Sequence, residues 1–174
     1  MEHGTHHVDL VDENGHVVGS KPRRDVDKHK DTYHSVFIVL VSPEGEVVLA
    51  RIPTRTDLPN LYSEQLGVPA ATIRRSGESP LSAAKRSAER ELFIDNADVV
   101  PVGGGLFKLP DNRETYVSVY YLVAHPPETY STTDIGEMAT FTPRDLRERM
   151  EEHPEQFAPT MLEIWRRYSD RLPL

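Results

Sequence analysis

The sequence of 174 residues contains no cysteine, which excludes disulfide bonds, thiolate metal sites and a cysteine nucleophile. It also lacks any apolar run close to the roughly 20 residues that a helix needs to cross a bilayer. Its first residues, MEHGTHHVDL, show no basic segment followed by an apolar one, the pattern of a secretory signal. We therefore expect a cytoplasmic protein with no membrane partner.

Acidic residues outnumber basic residues in the chain. The chain has 20 Lys and Arg residues against 28 Asp and Glu residues, a net charge of −8. Such a balance argues against a nonspecific nucleic-acid partner, because a phosphate backbone needs a basic surface. An acidic protein can still bind a phosphate where its basic residues gather locally.

The order of predicted elements indicates the fold class. We expect one domain over residues 1–174, with residues 1–7 as a mobile terminus and helices in residues 143–174. A hairpin turns at Asn14-Gly15, and residues 103–105 (Gly-Gly-Gly) are predicted to turn as well. The predicted strands cover residues 33–41, 46–52, 62–68, 99–102, 106–109, 115–124 and 135–141. This order predicts an α+β protein, a mixed central sheet between helices.

One amphipathic helix in the middle of the chain organises the rest. Ser79 is suited to cap it and Pro80 to occupy its first position. Its apolar stripe is predicted from helical spacing and consists of Leu81, Ala84, Ala88 and Leu92. The charged residues of the same stretch are Glu78, Arg86, Glu89, Arg90 and Glu91.

This stretch resembles the Nudix box, which reads G, five residues, E, seven residues, then R-E-U-x-E-E-x-G-U, where U is bulky and apolar. Seven residues separate Glu78 from Arg86, and Glu91 and Ile94 fall on the last glutamate and the last apolar position. The resemblance implies a Nudix fold. It also implies a hydrolase that cleaves a small molecule containing a diphosphate, with Mg²⁺ or Mn²⁺ held by carboxylates.

The resemblance also assigns roles to single residues. It implies a metal on Glu78, Glu91 and Glu114, with Glu91 and Glu114 as the catalytic pair. Arg51, Arg55 and Arg86 are expected to bind the substrate, because the arginine fork suits phosphate oxygens.

The box is incomplete in this chain. Ser87 and Arg90 stand where it carries glutamates, and Phe93 stands where it carries glycine. Ten residues rather than five separate Gly67 from Glu78. The metal set is therefore expected to be reduced and could have been lost.

The surroundings resemble the isopentenyl-diphosphate isomerase subgroup, whose members begin with a similar VDENG hairpin. That subgroup uses a cysteine and a histidine in a segment that corresponds to Leu66-Gly67-Val68-Pro69, where both are missing. His29 and His34 lie near the subgroup's metal-binding histidines but at a different spacing. We therefore do not expect the isomerase reaction by the known mechanism.

Three hypotheses remain open. The first is a metal-dependent hydrolase of a diphosphate linked to another moiety. The second is a Nudix-fold binding or regulatory domain whose metal site has decayed. The third is a different reaction on a prenyl diphosphate. A homodimer is plausible from base rates alone.

Overall fold

The computed structural model describes residues 5–54 and 62–174, and within these ranges it forms nine strands and three α-helices. The strands are β1 (His7–Val11), β2 (Val17–Pro22), β3 (His34–Val41), β4 (Val47–Arg51), β5 (Leu66–Gly67), β6 (Ala70–Ile73), β7 (Val100–Lys108), β8 (Glu114–Val123) and β9 (Met138–Phe141). The helices are α1 (Pro80–Leu92), α2 (Pro143–Glu152) and α3 (Pro159–Tyr168). None of the described helices is long and apolar enough to cross a membrane.

The strands form two sheets. β1 and β2 make a two-stranded hairpin at Asn14-Gly15, where Gly15 takes a φ of +81° that favours glycine. The other seven strands form a mixed sheet with the order β5-β4-β3-β8-β7, in which β6 pairs with β3 and β9 with β4. β3 and β8 run parallel, whereas the other described pairs are antiparallel. The predicted α+β class with a mixed sheet is confirmed.

Helices cover both faces of the sheet. On one face, α1 packs its alanines and Leu92 against Val36, Ile38 and Leu40 of β3. On the other face, α2 and α3 bury Leu146, Met161 and other apolar side chains against alternate residues of the same strands. Because β3 is buried on both faces, its sequence is a nearly continuous apolar run.

α1 begins and ends as its sequence suggests, with one correction. Ser79 Oγ accepts a hydrogen bond from the amide of Ser82 at 3.1 Å, and Pro80 occupies the first position. Leu81, predicted to belong to the apolar stripe, is 44% exposed. The buried face instead includes Ser87 and Glu91, which are four residues apart and so share one side of the helix.

The predicted turn at residues 103–105 is wrong, because β7 runs through all three glycines. A Cβ atom on Gly103 would lie 2.6 Å from the ring of Tyr168, a buried side chain on α3. The glycine is therefore needed for close packing of α3 on the sheet rather than for a turn.

Other boundaries also differ from the prediction. The strand expected over residues 62–68 is the two-residue β5, and residues 70–73, which lie outside every predicted strand, form β6. The last strand begins at Met138 rather than at residue 135. At the N-terminus, β1 already includes His7, whereas residues 1–4 lie outside the described residues.

Candidate functional site

A cleft of about 740 Å³ lies where β3, β6, β8 and α1 approach the 3₁₀ turn after β2. Its hydroxyl and apolar lining includes Ser35, Thr72, Thr115, Thr160, Tyr33, Phe37, Ile52, Tyr62 and Leu109. Six Arg or Lys side chains also line it: Arg23, Arg24, Lys28, Arg86, Arg90 and Arg113. No Asp or Glu is among the described lining residues. In a chain with a net charge of −8, this cleft is a local concentration of positive charge.

Three separate segments supply the basic side chains. Arg23 and Arg24 belong to the 3₁₀ turn Arg23–Asp25, and Lys28 follows in the next loop. Arg86 and Arg90 are one helical turn apart on α1, on the same side of that helix. Arg113 immediately precedes β8. The positive charge is therefore produced by tertiary folding rather than by one basic stretch.

Part of this charge has no counter-ion within the described residues. Neither Arg23 nor Lys28 lies within ion-pair distance of a described carboxylate. Partial removal from water lowers the pKa of Lys28, and the neighbouring Arg23 and Arg113 lower it further. Arg113 has a partner, Asp111, at 2.5 Å. An anion in the cleft would relieve the repulsion among these cations.

Arg86 is held by hydrogen bonds around the loop that precedes α1. Its Nε and Nη2 donate to the two carboxylate oxygens of Glu78 at 2.7 and 2.9 Å. Nη1 donates to Thr72 Oγ1 at 3.1 Å and Nη2 to the carbonyl of Ile73 at 3.2 Å. Four of the five guanidinium donors thus have partners, so Arg86 mainly joins β6, the loop and α1.

Glu78 is correspondingly occupied. Besides the two bonds from Arg86, its Oε2 accepts from the amide of Arg75 at 2.9 Å. Burial alone raises the pKa of Glu78, but these bonds and the charge of Arg86 outweigh it and the pKa is lowered. Five residues separate Thr72, in β6, from Glu78, so Thr72 stands at the position of the first box glycine.

Glu91 is the buried carboxylate of the site. It is 5% exposed; its Oε2 accepts from the amide of Ala71 at 3.0 Å and its Oε1 accepts from Arg90 Nη2. Burial raises the pKa of Glu91 to about 7, although Arg90 and the amide of Ala71 oppose the rise; Asp134 adds to it. A carboxylate with this pKa can exchange a proton near neutral pH.

Glu91 lies in a second pocket that adjoins the cleft. This pocket has a volume of about 280 Å³, and Glu91 and Asp134 both line it. It shares five lining residues with the cleft, namely Phe37, Ile52, Ala71, Arg90 and Thr160. Arg90 therefore lies between the cationic cleft and the acidic pocket.

The three carboxylates expected to hold a metal are not brought together. Glu78 is paired with Arg86, and Glu114 is 3.4 Å from Lys108 with its side chain 42% exposed. Glu114 points away from the cleft because its neighbours Arg113 and Thr115 line it and side chains alternate along a strand. Nowhere in residues 5–54 and 62–174 do three His, Cys, Asp or Glu side chains form a group that could hold a metal ion. These residues do not fit the carboxylate cluster that the resemblance implies.

Two other residues of α1, Ser87 and Glu89, add no metal ligand to the site. Ser87 replaces a box glutamate, is fully buried, and its hydroxyl has no hydrogen-bond partner among the described residues. Glu89 is exposed on the opposite side of α1, as the helical geometry predicts.

The remaining predicted residues have other surroundings. Arg51, expected to bind substrate, donates to the carbonyl of Glu64 at 3.0 Å and does not line the cleft. Arg55 lies outside the described residues. His34 is buried and its Nε2 is 2.7 Å from Ser118 Oγ. Burial lowers its pKa to about 4, with a further contribution from Arg74. His29 is exposed, and neither histidine belongs to a metal group in the part of the chain described.

Four basic residues that line the cleft were not predicted from the sequence, namely Arg23, Arg24, Lys28 and Arg113. Three of them belong to the basic stretch KPRRDVDKHK, residues 21–30. That cluster in an acidic chain was the available signal. Arg113 has no local signal, because its place in the cleft depends on the pairing of β8 with β3.

Comparisons with known proteins relate the chain to a family of enzymes and to solved structures. No family model matches the chain. An uncharacterised Nudix hydrolase of Pseudomonas aeruginosa is 28% identical over 160 residues, which cover 92% of this chain and 91% of that protein. The uncharacterised Nudix hydrolase YfcD of Escherichia coli is 26% identical over 149 residues, 85% of this chain and 80% of that protein. The crystal structure of DR0079 from Deinococcus radiodurans matches with a TM-score of 0.76 and 24% identity, over 93% of this chain and 98% of that one.

The chain has the Nudix fold, which it shares with the solved structure of a Nudix hydrolase from Nitrosomonas europaea at a TM-score of 0.55 and 16% identity, over 81% of this chain and 90% of that one. Together with the named sequence relatives, the fold supports its place in the Nudix hydrolase superfamily.

Proposed function

We propose that the chain is a Nudix-type hydrolase acting on a small molecule that contains a diphosphate linked to another moiety. The observation that carries the proposal is the cleft with six basic side chains and no described acidic one, next to Glu91 with its raised pKa. A diphosphate is the compact polyanion that such a cleft favours.

The cleft offers separate places for the two parts of the substrate. Arg23, Lys28 and Arg113 supply donors and charge for the phosphate oxygens, with hydroxyls such as that of Thr115 nearby. The aromatic and apolar side chains of Tyr33, Phe37 and other lining residues form a wall for the linked moiety.

Glu91 is the proposed general base. Water attacks a phosphorus atom, its oxygen forms the new P–O bond, and Glu91 takes the proton that the water loses. The bond between phosphorus and the bridging oxygen breaks, and the leaving phosphate keeps the electron pair. Arg90, between the two pockets, is suited to stabilise the negative charge that develops on the transferred group.

The chain resembles the isomerase-like subgroup in its VDENG hairpin, but we do not propose the isomerase reaction for it. The segment Leu66-Gly67-Val68-Pro69, which corresponds to the reacting segment of that subgroup, contains neither the cysteine nor the histidine.

Turnover of a substrate panel in ¹⁸O-labelled water tests the proposal. The panel contains nucleoside diphosphates, nucleoside diphosphate sugars, dinucleoside polyphosphates and prenyl diphosphates, each assayed with Mg²⁺, with Mn²⁺ and with EDTA. We expect ³¹P NMR to show ¹⁸O in a phosphate product, and Glu91→Gln to lower kcat about 100-fold or more. Glu89→Gln, an exposed change on the same helix, is the matched control and should leave kcat unchanged.

Two results would oppose this function. If no compound is turned over but one binds tightly, the chain is a binding domain. If ¹⁸O appears in the organic product instead of the phosphate, the reaction breaks a carbon–oxygen bond and hydrolysis at phosphorus is wrong.

A further inference from the structure

We infer that the cleft binds the diphosphate directly on its guanidinium and ammonium groups, without a bridging metal ion, and that Arg90 supplies charge where the box has a metal-binding carboxylate. The inference rests on the proposed function and concerns how the same site recognises its ligand.

The first argument is the charge of the lining. A metal bridges carboxylates to a phosphate because the two anions otherwise repel each other. Here the described lining contains six basic side chains and no carboxylate, so the protein can contact the phosphate itself. A divalent cation would find no described carboxylate in this lining, and it would be repelled by Arg23 and Lys28, which have no carboxylate partner among the described residues.

The second argument concerns the two carboxylates that line the adjoining pocket. Glu91 accepts hydrogen bonds from Arg90 and from the amide of Ala71, and Asp134 Oδ2 accepts one from Ser131 Oγ at 2.7 Å. Both lie in the adjoining pocket, and no third described ligand completes a metal group. The guanidinium of Arg90 is therefore the cation that Glu91 faces.

The third argument concerns the position and exposure of Arg90. Its side chain is 49% exposed and spans the boundary between the two pockets, whereas Glu91 is buried. A rotamer change can move the guanidinium toward a ligand in the cleft without disturbing the core. The remaining charge comes from Arg23 and Lys28, which have no carboxylate partner among the described residues.

Calorimetric titration with inorganic pyrophosphate tests the inference. In EDTA we expect the wild-type chain to bind pyrophosphate with a Kd within about threefold of the Kd in Mg²⁺, expressed per free ligand. Arg90→Gln and Arg23→Gln should each raise the Kd in EDTA about tenfold. Arg166→Gln removes an exposed arginine that pairs with Glu163 on α3, and this control should change the Kd less than twofold.

Arg90→Gln leaves Glu91 without its cation and could destabilise the fold. Arg23→Gln disturbs no ion pair of the described residues, so it tests the same claim if Arg90→Gln does not fold. The wild type and Glu91→Gln are also titrated with Mn²⁺ alone and followed by EPR. We expect no bound Mn²⁺ in the wild type that is lost in Glu91→Gln.

The inference is wrong if pyrophosphate binds about tenfold or more tightly with Mg²⁺ than in EDTA, or if neither variant weakens binding. It is also wrong if one equivalent of Mn²⁺ binds to the wild type and not to Glu91→Gln. The two proposals can fail separately. Binding in EDTA without turnover contradicts only the hydrolase function, and turnover with metal-dependent binding contradicts only this inference.

Discussion

The guanidinium of Arg90 donates a hydrogen bond to the carboxylate of Glu91, its neighbour in the chain, at the place where the Nudix box has two consecutive glutamates. Of the two, Glu91 is buried and Arg90 is about half exposed. The cation that this carboxylate meets is thus part of the protein. Because Arg90 takes the place of a box glutamate, a helix with the Nudix spacing can border a cleft that is lined by basic side chains.

The pKa of Glu91 makes the stability of the chain depend on pH. Its pKa is raised from 4.5 to about 7, so the folded protein holds this proton more tightly than the unfolded chain. The wild type therefore loses stability as the pH rises from about 4.5 to about 7, and the loss is complete above that range. Glutamine cannot ionise, so Glu91→Gln lacks this loss.

We expect the free energy of unfolding of Glu91→Gln, relative to wild type, to increase by about 3 kcal/mol between pH 4.5 and pH 8. Urea denaturation at a series of pH values measures it. The titration of His34 changes stability in both proteins and cancels in the difference. Glu89→Gln is the control, and a difference for Glu91→Gln that stays constant with pH would contradict the raised pKa.

The ion pair between Arg86 and Glu78 should contribute more to the stability of the fold than to ligand binding. Both side chains are largely buried, with 20% and 15% exposure, so removing one partner leaves a poorly solvated charge. Arg86→Met is expected to lower the free energy of unfolding by about 3 kcal/mol, measured by chemical denaturation. Arg166→Gln breaks an exposed pair and should cost less than about 1 kcal/mol. Equal costs for the two variants would show that the Arg86 pair has no special role.

The end of α1 contains a residue under local strain. Phe93 takes a φ of +55° at the position that ends the helix, and its side chain is 56% exposed. A left-handed conformation costs a non-glycine residue about 1–2 kcal/mol, and little packing is lost on removing an exposed ring.

Phe93→Gly should therefore raise the free energy of unfolding by about 1 kcal/mol and the Tm by about 3 °C. Asn96→Gly is a matched change at another left-handed residue, with a φ of +49°. Because asparagine tolerates this conformation better than phenylalanine, its gain should be smaller. A lower Tm for Phe93→Gly would mean that the ring makes contacts that outweigh the strain.

Much of the fold could be predicted from the sequence because its signals are local. The cap at Ser79, the proline after it and the Asn14-Gly15 turn act over a few residues, and the structure has each where expected. The glycines of β7 were misread because their reason is distant. Gly103 is small to admit Tyr168 from α3, about 65 residues away in sequence.

The site was less predictable than the fold. Box spacing located Arg86, Glu78 and Glu91 but not their partners, which depend on packing. Glu114 was predicted as a site residue from its likeness to related proteins. Because side chains alternate along a strand, its neighbour Arg113 lines the cleft and Glu114 does not. Arg23 and Arg113 meet across one cleft although 90 positions separate them in the chain, and no local pattern shows that.

The central claim is that the cationic cleft is the phosphate site. A crystal structure of the full chain with methylene diphosphonate, grown in EDTA, tests it most directly, because this analogue cannot be hydrolysed at its bridge. We expect the two phosphonate groups in the cleft, within hydrogen-bond distance of Arg90 and Arg113 and of Arg23 or Lys28. The diphosphonate bound elsewhere on the chain, or bound only through a metal ion when Mg²⁺ is restored, would contradict the account.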